Sequence, residues 1–108
     1  MTYVEIKNLI ASFDLPFAYY QFPDGTEQAP PFICFFYDYN DIHADNSNYV
    51  KRAVLYIELY TDNKDFDKEE FIESGLKEAG FSFGKESAYI ASERMWQTTY
   101  NMEVIINV

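Results

Sequence analysis

From Val50 to Thr61 the chain alternates with a period of two, and few architectures accept that pattern. Ala53, Leu55, Ile57 and Leu59 fall on one side of an extended strand, and Val54, Tyr56, Glu58 and Tyr60 fall on the other. The first set is wholly apolar and reads as a core face. The second is aromatic with one charge, a composition suited to a face that another protein covers.

Two amphipathic segments can supply the layer over the core face. Thr2 and Glu5 form a capping-box pattern, and Tyr3, Ile6, Leu9, Ile10 and Phe13 recur at helical spacing, so a helix is expected over Thr2–Phe13. Asp14 and Leu15-Pro16 end it, because the residue before proline is steered out of the α region. In the second segment Asp67 is placed to cap and Glu70 stands three residues on. Phe66 and Phe71 are spaced as a hydrophobic staple, and Phe71, Ile72, Leu76 and Ala79 form the inward stripe. Gly80 is placed for a left-handed stop, with Phe81 folding back on Leu76.

The remaining apolar runs read as extended. Phe17–Phe22 is a short piece before the turn Pro23-Asp24-Gly25, and Pro30-Pro31 makes any strand ahead of it an edge. Phe32–Tyr37 is apolar on both alternating sets, as in a strand covered on two sides. Asp38–Asn48 is polar and reads as a long loop. Phe81–Phe83 and Tyr89–Ser92 read as one strand with a bulge near Gly84. Thr98–Val108 alternates again, with Tyr100, Met102, Val104, Ile106 and Val108 on one side. The expectation is a single α+β domain over residues 1–108. Two helices pack on one face of a mostly antiparallel sheet of about four strands, in the order α-β-β-α-β-β.

Charge limits what such a domain can bind. Eighteen acidic residues against eight basic ones give a formal net charge of -10. Phosphate-tracking nucleic-acid binding relies on Lys and Arg displacing counterions, so it is disfavoured, as is docking on anionic membranes. A basic protein partner, a DNA-mimic role or a surface that repels DNA all fit the balance. The single cysteine, Cys34, lies in the apolar run and reads as a buried small hydrophobe with no disulfide available inside the chain. No basic-then-apolar leader pattern opens the sequence, which predicts a protein that folds and stays in a reducing cytoplasm.

Catalytic patterns are sparse. Nucleophilic catalysis needs a nucleophile, a base and a group to orient the base. The only histidine, His43, stands between Asp41 and Asp45 in the polar loop, without the further histidine or cysteine ligands of a transition-metal site. Asp62, Asp65, Asp67, Glu69 and Glu70 gather at a helix start, where the macrodipole favours negative charge. No glycine-rich phosphate loop is present. The chain is therefore expected not to be an enzyme and to carry no cofactor. Trp96 reads either as a core anchor or as an interface anchor ahead of the last strand. It joins Val54, Tyr56, Glu58 and Tyr60 as an interface candidate.

The segments AYYQFPDGTEQAPPFICFFYDY, ADNSNYVKRAVLYIELYTDNKDF and SAYIASERMWQTTYNMEV, spanning roughly Leu15 to Val104, together carry a resemblance. They resemble small structural proteins of tailed phages and prophages of Gram-positive bacteria, of the tail-terminator or tail-completion type at the head–tail junction. The most specific parts are Ile57-Glu58-Leu59-Tyr60-Thr61-Asp62-Asn63-Lys64-Asp65 and Pro30-Pro31-Phe32-Ile33. The sequence departs from the family pattern at NDIHAD and at YIASE, where Trp would replace Tyr89. The resemblance implies helices against an antiparallel sheet and a homo-oligomeric ring, often hexameric. Such a ring meets the tail tube protein and the head–tail connector, assembles in the bacterial host cytoplasm and ends in the virion. It implies no catalytic residue and no cofactor.

A ring protomer needs two complementary surfaces, which suits the aromatic excess, and acids around a lumen would keep passing DNA from adhering. Asp41, Asp45, Asp62, Asp65 and Asp67 are the candidates for that channel or rim. A second expectation, from another class, is an acidic inhibitor or DNA mimic occupying a basic cleft of a partner. A third is a metal- or ligand-binding enzyme centred on His43.

Overall fold

A computed structural model of the chain describes residues 1–39 and 50–107. The elements run α1 (Tyr3–Ala11), β1 (Phe17–Tyr19), β2 (Phe32–Asp38), β3 (Val50–Thr61), α2 (Phe66–Glu78), β4 (Gly84–Ile90) and β5 (Met95–Asn107). The strands form one sheet in the order β1-β2-β3-β5-β4. β1 runs parallel to β2, and every other pairing is antiparallel. The architecture is α+β, with five strands where about four were expected.

The extra strand is the piece after Pro16. The sequence marks it only as a short extended piece before the Pro23-Asp24-Gly25 turn. In the fold Phe17 pairs with Ile33 and Tyr19 with Phe35, in parallel. Parallel strands cannot be joined by a two-residue turn, and residues 20–31 make the longer return. Within that return Pro23 accepts a backbone bond from Thr26, and Gly25 takes φ +82°, a left-handed corner open to glycine at little steric cost. As the prolines imply, β1 lies at the sheet edge.

The core forms where both helices cover one face. Ile6 and Ile10 from α1, Phe13 from the turn that follows it, and Ile72 and Leu76 from α2 meet Ile33, Phe35, Ala53, Leu55, Ile57, Leu59, Tyr100, Met102, Val104 and Ile106 from the sheet. The alternation of β3 therefore sorts its side chains as expected, with buried and half-buried residues strictly alternating from Ala53 to Thr61. The turn after α1 touches α2 where Phe13 approaches Gly75. A Cβ at Gly75 would stand 2.7 Å from the Phe13 ring, so only glycine admits this contact unshifted. The amino terminus is tied to the end of β5, because the Met1 amine donates to the Ile105 carbonyl and Asn107 N–H donates to the Met1 carbonyl.

Both helix starts and stops follow from local chemistry. The Thr2–Glu5 capping box closes α1 in both directions. The cap of α2 is Asp65 rather than Asp67; its carboxylate accepts from the Lys68 N–H, and Phe66 becomes the first helical residue. This two-residue shift changes the inward stripe to Glu69, Ile72 and Leu76. Phe71 moves to the flank, 57% exposed and edge-on to Phe13. Phe66 is 66% exposed and staples nothing to Phe71. At the other end Gly80 N–H bonds Lys77 and Phe81 N–H bonds Leu76, the paired bonds of a left-handed glycine stop, with Gly80 at φ +88°.

The last hairpin differs from expectation in its limits. β4 starts at Gly84, with Phe81 and Phe83 packed on the core from outside any strand. β5 starts at Met95, three residues earlier than the alternation at Thr98 suggests, so Trp96 lies within it. Among the described residues no helix is long and apolar enough to cross a membrane.

Candidate functional site: the uncovered face of the sheet

Among the described residues both helices lie on one face of the sheet and no layer covers the second. Its central strand presents Arg52, Val54, Tyr56, Glu58 and Tyr60, flanked by Phe32, Cys34 and Phe36 of β2 and Gln97, Thr99 and Asn101 of β5. Cross-strand pairing stacks the rings in register. Phe36 lies flat on Tyr56 at 4.9 Å and Phe32 on Tyr60 at 4.8 Å between centroids. Tyr20 and Phe22, from the chain after β1, stand edge-on to Phe36 and Phe32. Such pairs are worth about 0.5–1.5 kcal/mol each beyond their buried area. The stacks stiffen the face before anything binds it.

Between the stacks sits one carboxylate. Glu58 accepts from the Gln97 amide at 2.6 Å and from the Tyr60 hydroxyl at 3.3 Å. Burial drives its carboxyl above the ordinary carboxylate range, and those two hydrogen bonds only partly offset the effect. The same burial, with the nearby Glu58 charge, pushes the Cys34 thiol up to about 11, so Cys34 is a packed, unreactive thiol as expected. Glu58 lies in a groove of about 560 Å³ at the β3 C-terminal end of the face, walled by the chain after β1 and by the β4–β5 turn. Phe22, Phe32 and Tyr60 give its apolar wall, and Glu27, Glu58 and Glu93 its charge. Among the described residues no lysine or arginine lines it.

The interface candidates from the sequence separate in space. Val54, Tyr56, Glu58 and Tyr60 share the uncovered face and are half-buried. Trp96 pairs with Thr61 and has the parity of Thr98 and Tyr100, which puts it on the helix side. There it packs edge-on to Tyr89, with Lys64 Nζ 5.6 Å from its ring centroid. Asp62, Asp65 and Asp67 gather at the start of α2, with Asp62 and Asp67 exposed and Asp65 engaged as the cap and with the Lys68 amine at 3.5 Å. Asp41, Asp45 and His43 lie outside the described residues.

Two further groupings were not anticipated. Under α2, the buried Glu69 carboxylate receives Lys64 Nζ at 2.7 Å and Lys85 Nζ at 2.9 Å. Lys85 also reaches Glu73 at 2.9 Å, and the Tyr100 hydroxyl donates to Glu73 at 2.8 Å. Hydrogen bonds to Glu69 and Glu73 raise the Lys85 amine. Burial pushes the Glu73 carboxyl up, but the bonds from Lys85 and Tyr100 outweigh it and leave it lowered. Every charge in this cluster faces an opposite one, which marks it as a clamp between α2 and β4–β5. At the β1–β2 edge Tyr3, Tyr19, Tyr37 and Tyr39 form a second aromatic cluster, with Tyr3 and Tyr39 sharing a hydroxyl–hydroxyl bond of 2.5 Å. Burial, reinforced by the Tyr3 and Tyr19 hydroxyls, pushes Tyr37 up to about 12.

Compared with models of known families and with curated proteins, the chain matches none.

Proposed function

We propose that this chain is a phage virion structural protein, a tail terminator or tail-completion protein at the head–tail junction that acts by ring-type self-assembly. The observation that carries the reading is the half-finished sheet. One face is closed by two helices, while the other keeps stacked, half-exposed aromatics that a solitary domain has no need to organise. The tyrosine cluster at the β1–β2 edge supplies a second, different surface, as a head-to-tail ring contact requires. The sequence resemblance points the same way. Partners on this reading are other copies of the chain, the tail tube protein and the head–tail connector, met in the host cytoplasm and kept in the virion.

The distribution of acids favours this reading over a DNA mimic. A mimic needs carboxylates in a phosphate-like row over one face. Here Asp38, Glu58, Glu86 and Glu103 share the uncovered face, interrupted by its stacked rings, while Asp62, Asp67 and Glu70 stand at the α2 start and Asp24 and Glu27 on the loop after β1. Deleting the coding sequence from an inducible phage genome is expected to yield filled heads and separate tails of uncontrolled length, seen by electron microscopy. Normal joined virions from the deletion strain would overturn the proposal.

A further inference from the structure

The uncovered face carries a charge imbalance of its own. Strand register places Asp38, Glu58, Glu86 and Glu103 on it, and among the described residues of its strands Arg52 is the one cation. Asp38 and Glu103 flank Val54 from β2 and β5, and Glu86 lies two strands from Glu58, past Thr99. At the β3 C-terminal end the acids meet a concavity. There Glu27, Glu58 and Glu93 line the groove of about 560 Å³, together with Phe22, Phe32 and Tyr60. Among the described residues no three acidic, histidine or cysteine groups converge closely enough to hold a metal ion, so these carboxylates are spread along the groove rather than gathered on a point. Gln97, whose amide bonds Glu58, also lines a second hollow of about 470 Å³ that contains Glu86.

We infer that the groove takes the guanidinium of an arginine on a basic segment of a different protein, with a second cation of that segment reaching Glu86. Charge, wall and spacing select this occupant. The groove is acidic and, among the described residues, lined by no cation, so an incoming positive charge meets only its opposite. Its wall is aromatic, with Phe32 flat on Tyr60 and Phe22 edge-on to Phe32. A guanidinium, planar and weakly hydrated, packs on rings while its N–H groups bond a carboxylate; an ammonium is more strongly hydrated and gains less from such a wall. Glu58 keeps room for that bond, because its partners are one amide and one hydroxyl, against roughly four lone-pair sites on a carboxylate. Glu58 and Glu86 stand two strand spacings apart, about 10 Å at ~4.8 Å each, which an extended segment spans in about three residues. A second copy of this chain is a poor occupant of the groove, since it brings the same net charge of -10.

The inference rests on the assembly reading only in taking the uncovered face as a contact surface, and it concerns a partner other than the ring neighbour. Fluorescence anisotropy with a dye-labelled GRGGRG peptide tests it on the purified full chain, in about 0.1 M salt, where charges more than ~10 Å apart are largely screened. Wild type is expected to bind saturably. Glu58→Gln keeps the shape of the side chain and should weaken binding at least about ten-fold, as loss of a charge-assisted bond predicts. Phe22→Leu, which keeps an apolar wall but removes a ring, should weaken it about three-fold. Asp67→Asn changes the net charge as Glu58→Gln does, but at the α2 start on the helix side, and should stay within about two-fold of wild type. The lysine peptide GKGGKG should bind several-fold more weakly than the arginine one. No binding by wild type, an unaffected Glu58→Gln, or an Asp67→Asn loss equal to that of Glu58→Gln each overturns the inference. So does equal affinity for the lysine peptide, which would leave the rings no part. Arginine amide binding as tightly as the peptide would assign the groove to a small molecule, and self-association abolished by Glu58→Gln would assign it to a second copy; either result defeats the proposal. None of these results touches the virion phenotype of the deletion strain, so the two readings can fail separately.

Discussion

The two faces of this sheet are built by the same strands, one residue apart, yet they obey different rules. On the helix side the strand residues are mainly aliphatic, and the one buried charge cluster is closed, with Glu69 held between Lys64 and Lys85. On the uncovered side stacked aromatics stand among polar and acidic residues, and Glu58 is bonded to the neutral Gln97 and Tyr60. The covered face carries the stability of the monomer. The uncovered one leaves its aromatic side chains half-exposed in the single chain.

The sharpest way to break this comparison is to truncate neighbours on β3 that point to opposite sides. Leu55 is fully buried, and Leu55→Ala is expected to lower unfolding stability by about 3–4 kcal/mol, from lost transfer energy plus a cavity. Val54→Ala, one residue away and half-buried, should cost no more than about 1 kcal/mol. Urea unfolding at matched dilution measures both. Equal losses would mean that the uncovered face is as important to the monomer as the core, and the division into two roles would fall.

Next in size is the clamp. Removing the Glu69 carboxylate leaves two ammonium groups facing a nearly dry site, which for a fully buried pair costs about 3–5 kcal/mol. Lys64 and Lys85 are 24% and 36% exposed and can turn toward water, so Glu69→Ala is expected nearer ~2 kcal/mol. The same change should leave association through the other face within two-fold of wild type, once the protein is folded. A large loss of association from Glu69→Ala would show that the faces are coupled through the sheet.

Much of this division was legible in the sequence, and the reasons are local. The period of β3 sorted Leu55 from Tyr56 because alternation is a property of one strand alone. The Thr2–Glu5 box and the Gly80 stop were readable because capping chemistry acts over three or four residues. The α2 cap was misplaced because Asp65 and Asp67 both satisfy the capping pattern, and only the tertiary fit selects Asp65. The parallel pairing of β1 was hidden, since it depends on where a loop returns. The sequence leaves Trp96 without a face because its alternation is clear only from Thr98; with the strand beginning at Met95, parity puts Trp96 with Thr98 and Tyr100. The Glu69–Lys85 pair joins residues from separate elements, and nothing in either segment announces the other. The unpaired state of Glu58 likewise becomes visible only when Gln97 and Tyr60 are seen to be its partners.

The smallest expected effect is also the one in which the two faces should differ in sign. Glu73, in the clamp, has its carboxyl lowered from 4.5, so it contributes stability that is present above that value and lost as pH falls through the folded-state pKa. Glu58 has its carboxyl raised from 4.5 by burial, so the folded state holds its proton more tightly than the unfolded chain does. Its contribution is present below 4.5 and is lost as pH rises through the folded-state pKa. Glu73→Gln should therefore be less stable than wild type at pH 7, with the difference shrinking toward pH 3. Glu58→Gln should gain on wild type between pH 4.5 and pH 7. Both effects are expected below about 1 kcal/mol, since water screens each group in part. Urea midpoints from pH 3 to pH 7, taken at dilutions where the chain is monomeric, give the two signs directly. If Glu58→Gln instead loses stability with rising pH, the two hydrogen bonds outweigh burial at Glu58, and the opposite signs of the two faces are gone.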